Sequence, residues 1–439
     1  MSGIAEILIN LGFKVSGSDR SLNQNCKRLS GLGAKIFAGH AAANLAQDVS
    51  LLVYSSAVKQ DNPEVVEAQA RGLPVIRRAE VLAELLRLKF GIAVAGSHGK
   101  TTTTSLIASV LEVAGLDPTV VIGGQVRSIG TGAKLGKGDF LVAESDESDR
   151  SFLLLKPSIA IVTNIDAEHM GAYGSMQDLE NCFETFVQAV PFYGLAVLCV
   201  DDARVRSLAE KTKVRKCTYG LSPDAQIRAT EITPQQGVTR YRLWRAEEDL
   251  GEINLALPGR HFVCNSLAAV AVGLELGISV EVIRSALENF GGVGRRLELV
   301  GVSKGVTFIN DYGHHPSEIR ATIEAVKSGW RKELNKLHVI FQPHRYTRTR
   351  DAFVEFLSCF SEADDLILTE IYAASEEPLE GITGRVLFES VTHPSKQFVP
   401  NLEDIAGEII PELRSGDVVL CLGAGSIGSL PELLLQGMK

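Results

Sequence analysis

The sequence predicts an α/β protein of parallel sheets with helices on both faces, arranged in three successive blocks. Two observations predict it. Short β-branched runs alternate with amphipathic stretches almost throughout the 439 residues, and that alternation is the pattern of βαβ units. A glycine loop, Gly96-Ser97-His98-Gly99-Lys100-Thr101-Thr102, follows the apolar run Gly91-Ile92-Ala93-Val94-Ala95 and precedes a helix-like run from Thr103 to Ala114. Strand, glycine loop and helix start in that order make a phosphate cradle.

The first block runs to about Leu88. Its strand-like segments are Phe13-Lys14-Val15-Ser16, Ser50-Leu51-Leu52-Val53-Tyr54 and Pro74-Val75-Ile76. The second opens at the phosphate-loop strand. It adds strands at Asp139–Ala143, Ile159–Val162 and Ala196–Val200, an antiparallel meander from about Ala225 to Leu257, and two helical stretches to about Asn289. Gly291-Gly292-Val293-Gly294 reads as a linker. The third block resumes the β-α alternation with Val306–Ile309, His338–Phe341, Leu366–Thr369 and Val418–Cys421.

Composition narrows the function. A net charge of −9 argues against nucleic acid or an acidic membrane as the main partner. It leaves room for anionic small ligands in a local positive pocket. No apolar run is long enough to span a bilayer, so no membrane insertion is expected. The 7 cysteines are scattered without a Cys-x-x-Cys pair, as in a reduced, cytoplasmic protein.

In the loop, glycines let backbone N–H groups face an anion, Lys100 can reach the outer phosphates, and the Thr101 hydroxyl can hold Mg²⁺. The spacing is unusual: Gly96 and Gly99 are separated by two residues, and Val94 stands where a first glycine is common. Polar clusters follow other strands, where open parallel sheets bind ligands. Glu144-Ser145-Asp146-Glu147-Ser148-Asp149 offers carboxylates suited to Mg²⁺. Thr163-Asn164-Ile165-Asp166-Ala167-Glu168-His169 follows the next strand, and imidazole is a poor match for Mg²⁺. Gln342-Pro343-His344-Arg345-Tyr346-Thr347-Arg348-Thr349-Arg350 places three arginines and a histidine after a strand and reads as an anion site for a carboxylate or phosphate. The paired His314 and His315 lack the spacing of a zinc site. Gly423-Ala424-Gly425-Ser426-Ile427-Gly428 matches a dinucleotide fingerprint but has no room for the second strand that fingerprint needs. It reads instead as a close-packed strand-to-helix turn.

Taken together, Gly-Ser-His-Gly-Lys-Thr-Thr-Thr, Glu-Ser-Asp-Glu-Ser-Asp, Thr-Asn-Ile-Asp-Ala-Glu-His, Asp-Tyr-Gly-His-His-Pro and Phe-Gln-Pro-His-Arg-Tyr-Thr-Arg-Thr occur in order across the chain. In this the sequence resembles the Mur ligase family over essentially its whole length. The resemblance implies three consecutive doubly wound (Rossmann-like) domains: 1–88 for a UDP-sugar, 89–294 as a P-loop ATPase domain with the antiparallel β section, and 295–439 for the incoming amino acid. It implies ATP and Mg²⁺ as cofactors and peptidoglycan precursor synthesis as the process. L-alanine would be joined to the carboxylate of UDP-N-acetylmuramate through an acyl phosphate. The alternatives are a ligase that attaches a recycled tripeptide to the same sugar, and a catalytically impaired nucleotide-binding homologue.

By the same resemblance, Gly96, Ser97, His98, Gly99, Lys100, Thr101 and Thr102 would hold the triphosphate. Asn265 would contact adenine, Arg296 the γ-phosphate, and Asp311 the ribose side. Thr101, Glu144 and His169 would hold Mg²⁺. Tyr312, His344, Arg345 and Arg348 would shape the alanine pocket. Ser18, Asp19, Ser55, Ser56 and Ala57 would line the UDP site. Lys100, His169, Arg296 and His344 are the residues expected at the chemistry. Related ligases use a carbamylated lysine where this chain has Asn181–Thr185, so Glu184 would supply that charge. Phe262, Arg127 and Ser426 depart from the family pattern. Relative to the family, the first strand and its glycine loop are expected to be missing before Met1, leaving the diphosphate without that cradle.

Overall fold

The computed structural model describes residues 1–55, 58–122 and 133–439. The strands, in chain order, are β1 (Ser16–Asp19), β2 (Lys35–Ala38), β3 (Leu52–Tyr54), β4 (Val75–Arg77), β5 (Phe90–Ala95), β6 (Thr119–Val121), β7 (Ala133–Lys134), β8 (Phe140–Glu144), β9 (Ile159–Val162) and β10 (Leu195–Cys199). They continue with β11 (Lys216–Gly220), β12 (Ile227–Gln235), β13 (Val238–Arg245), β14 (Glu248–Leu255), β15 (Glu298–Ser303), β16 (Val306–Asp311), β17 (Leu337–Phe341), β18 (Asp365–Leu368), β19 (Lys396–Phe398) and β20 (Val418–Leu422). The chain divides into two compact units. One holds Met1–Thr230, Leu243–Gly251 and Cys264–Asn289; the other holds Glu231–Arg242, Glu252–Val263 and Phe290–Lys439.

In the first unit, β5 pairs in parallel with β8 on one side and β9 on the other. The order β11-β10-β9-β5-β8-β6-β7 runs across the unit. Strands β9 and β10 are buried at every residue, which is why they read as continuous apolar runs. The meander is present as β12, β13 and β14. Links of two residues can join only antiparallel strands.

The N-terminal block forms two separate parallel pairs, β1 with β2 and β3 with β4. Ile4 and Ile7 of the helix Ser2–Asn10 pack into the same core as Val81, Leu82 and Leu86. The strand read at Phe13–Ser16 begins only at Ser16. Phe13 is 62% exposed, so its apolar ring marks no core-facing strand position. The shift puts Ser18 and Asp19 on the strand itself.

The second unit carries a six-stranded sheet in the order β15-β16-β20-β17-β18-β19. All neighbours are parallel except β15, which runs antiparallel to β16. The carboxyl ends of β16, β20, β17 and β18 therefore line one edge of this unit. The polar runs that follow those strands in sequence emerge there.

Candidate active site

The phosphate loop is built as the residues require. Gly96 has φ +135° and Gly99 has φ +81°, backbone regions that glycine enters without cost. A side chain at Gly99 would lie 2.6 Å from Asn265 Oδ1. Asn265 thus rests against the loop, where the sequence assigned it to the nucleotide. Gly99 caps the helix Lys100–Val113, which starts earlier than the expected Thr103. Its first-turn N–H groups have no partner within the helix.

The loop is fastened from β9. Ser97 N–H donates to the Asn164 carbonyl at 3.1 Å, and His98 N–H donates to Asn164 Oδ1 at 2.8 Å. Thr163 Oγ1 donates to the His98 carbonyl at 2.7 Å. Asp166 N–H donates to Ser97 Oγ at 2.8 Å. The His98 ring meets Asp166 Oδ2 at 3.0 Å. So Ser97 and His98 shape the loop, with their amides already taken by Asn164. Thr163 and Asn164 had no stated role in the sequence, although they directly follow a buried strand.

Lys100 Nζ donates to the carbonyls of Gly96 and Ser97 at 2.5 and 3.0 Å and to Glu147 Oε1 at 2.9 Å. Burial alone would lower the lysine pKa; Glu147, Glu144 and Glu168 outweigh it and raise it. Burial lifts the Glu147 carboxyl to about 7 against the pull of Lys100. Glu147 is 1% exposed, and its Oε2 has no hydrogen-bond partner among the described residues. Thr101 Oγ1 donates to Glu144 Oε2 at 3.0 Å. Glu147, Glu168 and His169 bring ligand atoms within 4.8 Å of one another. Glu184, half-buried on the helix Met176–Gln188, is not part of that group. This donor set is rich in carboxylate oxygen and includes an orphaned buried one, which suits Mg²⁺.

In the N-terminal block, Ser18 Oγ donates to Glu64 Oε2 at 2.8 Å and lies 2.8 Å from His40 Nδ1. The serine proton is spent on the carboxylate, so His40 Nδ1 carries the hydrogen toward Ser18. Asn44 Nδ2 donates to Glu64 Oε1 at 2.7 Å. Asp19 Oδ1 accepts from Ser21 N–H at 3.4 Å. The Ser55 carbonyl accepts from Val58 N–H at 3.0 Å. Ser56, Ala57 and Arg127 lie outside the described residues.

In the second unit, Asp311 ends β16 and is 4% exposed. Its Oδ2 accepts from Leu297 N–H at 2.6 Å, and its Oδ1 accepts from Gly313 N–H at 2.8 Å and Thr322 Oγ1 at 3.3 Å. Asp311 therefore anchors the linker, with both oxygens engaged. Arg295 and Arg296 each set a guanidinium 5.0 Å from the Tyr312 ring. Arg295 also donates to the carbonyls of Gly423 and Gly425, while Arg296 lies 3.8 Å from Glu318.

His344 follows β17, and Arg348 Nη1 lies 3.2 Å from its Nδ1. A guanidinium can only donate, so Nδ1 accepts and Nε2 carries the proton. Burial, then Arg348, His314 and Arg345, hold His344 down to about 3. Arg345 pairs with Glu376 at 3.5 Å. The aromatic partners His314 and Tyr372 had no stated role in the sequence: His314 stands 6.0 Å from His344, and Tyr372 stacks on it at 5.6 Å. Phe262 is buried, and Ser426 Oγ meets the Gln342 amide at 3.2 Å. A cavity of 1290 Å³ in this unit, lined by Gln235, Arg320, Lys327 and Arg331, contains none of the expected site residues.

Three family models match in order: Mur ligase family, catalytic domain, over residues 1–90; Mur ligase middle domain over 94–273; and Mur ligase, glutamate ligase domain, over 295–425. The chain is 50% identical over 442 residues to the UDP-N-acetylmuramate--L-alanine ligase of Syntrophus aciditrophicus, covering 100% of this chain and 91% of the relative. It is 51% identical to the ligase of the same name from Pelobacter propionicus, covering 99% and 95%. Among solved structures, UDP-N-acetylmuramate-alanine ligase MurC from Thermotoga maritima superposes with a TM-score of 0.84 at 28% identity, covering 99% of this chain and 96% of that one.

Proposed function

The chain belongs to the Mur ligase family, and from that premise we infer that it joins L-alanine to the carboxylate of UDP-N-acetylmuramate at the expense of ATP, in peptidoglycan synthesis. The observation that carries this reading is Lys100. It is a largely covered ammonium on a glycine loop, faced by Glu144 and Glu147, in a chain whose full length aligns with ligases of that activity. The tripeptide-attaching and impaired alternatives are not favoured.

A carboxylate is a poor electrophile, and transfer of the γ-phosphoryl group converts it to an acyl phosphate. The protein's task is then alignment and charge neutralisation. Lys100 would leave Glu147 for the β- and γ-phosphates, aided by the helix N-terminus at Gly99. Mg²⁺, held by Thr101, Glu144 and His169 with Glu147 and Glu168 adjacent, would neutralise phosphate charge. The family resemblance names Arg296 for the γ-phosphate, while its neighbour Arg295 donates to the carbonyls of Gly423 and Gly425. Asn265 remains the proposed adenine contact beside Gly99. Asp311 would act through the linker it anchors.

For the amine substrate, Arg348 is the proposed partner of the alanine carboxylate, with Arg345 beside it. His344 stays neutral and offers Nε2–H, so it would serve as a donor to substrate oxygen. The free amine attacks the acyl carbon, the acyl C–O bond breaks, and the departing phosphate carries off the amine proton. The UDP-sugar would bind along Ser18, Asp19 and Ser55. Among the described residues no helix is long and apolar enough to cross a membrane, and a cytoplasmic location is proposed from the ATP and nucleotide-sugar substrates.

Phosphate release from ATP with UDP-N-acetylmuramate, with and without L-alanine, tests the reading. Release that needs both substrates supports it. Release that needs tripeptide instead, or none at all, overturns it.

A further inference from the structure

The Gly423–Gly428 turn is too closely packed to be a generic connection. An added side chain at Gly425 would meet the Tyr372 ring at 2.7 Å from Cγ and Gln342 Oε1 at 2.5 Å. Gly425 has φ −91°, so glycine serves close approach there and not an unusual backbone. The turn presses on Tyr372 from one side. Tyr372 also stacks on His344 with ring planes 13° apart.

The backbones of the two rings are also joined. Tyr372 N–H donates to the Pro343 carbonyl at 2.9 Å, and Arg345 N–H donates to the Tyr372 carbonyl at 2.9 Å. His344 and Tyr372 form a parallel β-bridge beyond the ends of β17 and β18. Tyr312, His314, His344 and Tyr372 thus make a row of rings along the strand ends, each in contact with the next. Tyr372 is 41% exposed, so the stack is not sealed in the core. An exposed ring held this tightly is held for orientation, because burial of its area is incomplete.

We propose that Tyr372, backed by Gly425, is a positioning residue for the amine substrate, fixing the His344 imidazole plane so that Nδ1 meets Arg348 and Nε2–H points to substrate. This rests on the ligase reading above. Imidazole turned out of that plane loses the Arg348 Nη1 contact at 3.2 Å. The consequence falls on the alanine site and not on the phosphate loop.

The test is steady-state kinetics of Tyr372→Ala, Tyr372→Phe and Gly425→Ala beside the wild type, with thermal melting to check the fold. Wild-type dependence on L-alanine tests the ligase reading itself, so its failure is seen before any variant is compared. Tyr372→Ala and Gly425→Ala are expected to raise the alanine KM about fivefold, the scale of one offset ring pair. The KM for ATP and kcat at saturating alanine stay within about twofold, and Tyr372→Phe restores the wild-type alanine KM. An unchanged alanine KM in a folded Tyr372→Ala overturns the proposal. So does an equal rise in the KM values for ATP and alanine, or a Tyr372→Phe variant no better than alanine.

Discussion

Lys100 Nζ and Glu147 Oε1 stand 2.9 Å apart with both side chains nearly sealed from solvent. The lysine that the loop motif assigns to phosphate is tied to a carboxylate and two loop carbonyls. Binding a triphosphate must exchange those partners, and Glu147, whose carboxyl burial lifts to about 7 even with the ammonium beside it, is then driven to take up a proton or a new cation.

Lys100→Ala is expected to lower turnover about 100-fold. Losing one charge-stabilising donor costs on the order of 3 kcal/mol in the barrier. Phosphate-release kinetics measure it. Near-normal turnover would mean another group neutralises the transferred phosphoryl.

Glu147→Gln is expected to weaken Mn²⁺ binding in the presence of an ATP analogue about tenfold, the scale for a supporting group at a metal site. Glu184→Gln should leave it unchanged. Paramagnetic resonance of Mn²⁺ reads both without relying on turnover. The reverse ranking would restore Glu184 as the charge beside the metal.

Arg348→Lys should raise the alanine KM about tenfold, because a planar fork is replaced by a point charge. The same change also removes the donor to His344 Nδ1. If KM holds steady, Arg345 becomes the carboxylate partner, although its pairing with Glu376 at 3.5 Å competes for it.

His344 adds an acid-sensitive contribution to stability. Its ordinary value is 6.5 and it is lowered to about 3, first by burial and then by Arg348, His314 and Arg345. The unfolded chain takes up that proton below 6.5 while the folded one resists it. The contribution is therefore present above pH 6.5 and is lost as pH falls toward 3. Denaturant midpoints from pH 7 to 4 should fall less steeply for His344→Gln than for wild type. Identical slopes would assign the acid sensitivity to other groups.

Much of the phosphate loop was legible because its signals are local. Gly96 and Gly99 mark backbone that only glycine enters freely, and an apolar run before them marks a buried strand. The same holds for the polar runs after β8, β9, β16 and β17, since open parallel sheets present their ligands at those ends. Phe13 misled because an apolar residue in a short run carries no label for the face it will occupy.

By itself the sequence determined the α/β alternation, the phosphate loop with Lys100 and Thr101, and the polar clusters available for chemistry. Only tertiary structure decided which of those residues meet. Parallel pairing of β5 with β9 brings Asn164 onto Ser97 and His98, and the pairing of β17 with β18 brings Tyr372 onto His344. It also decided that Asp311 spends both oxygens on its own linker and helix, and that Glu147 holds Lys100. The physical reason is the crossover. Parallel strands are joined through a helix, so neighbours in a sheet are distant in sequence, and no local pattern records which distant strand will lie alongside.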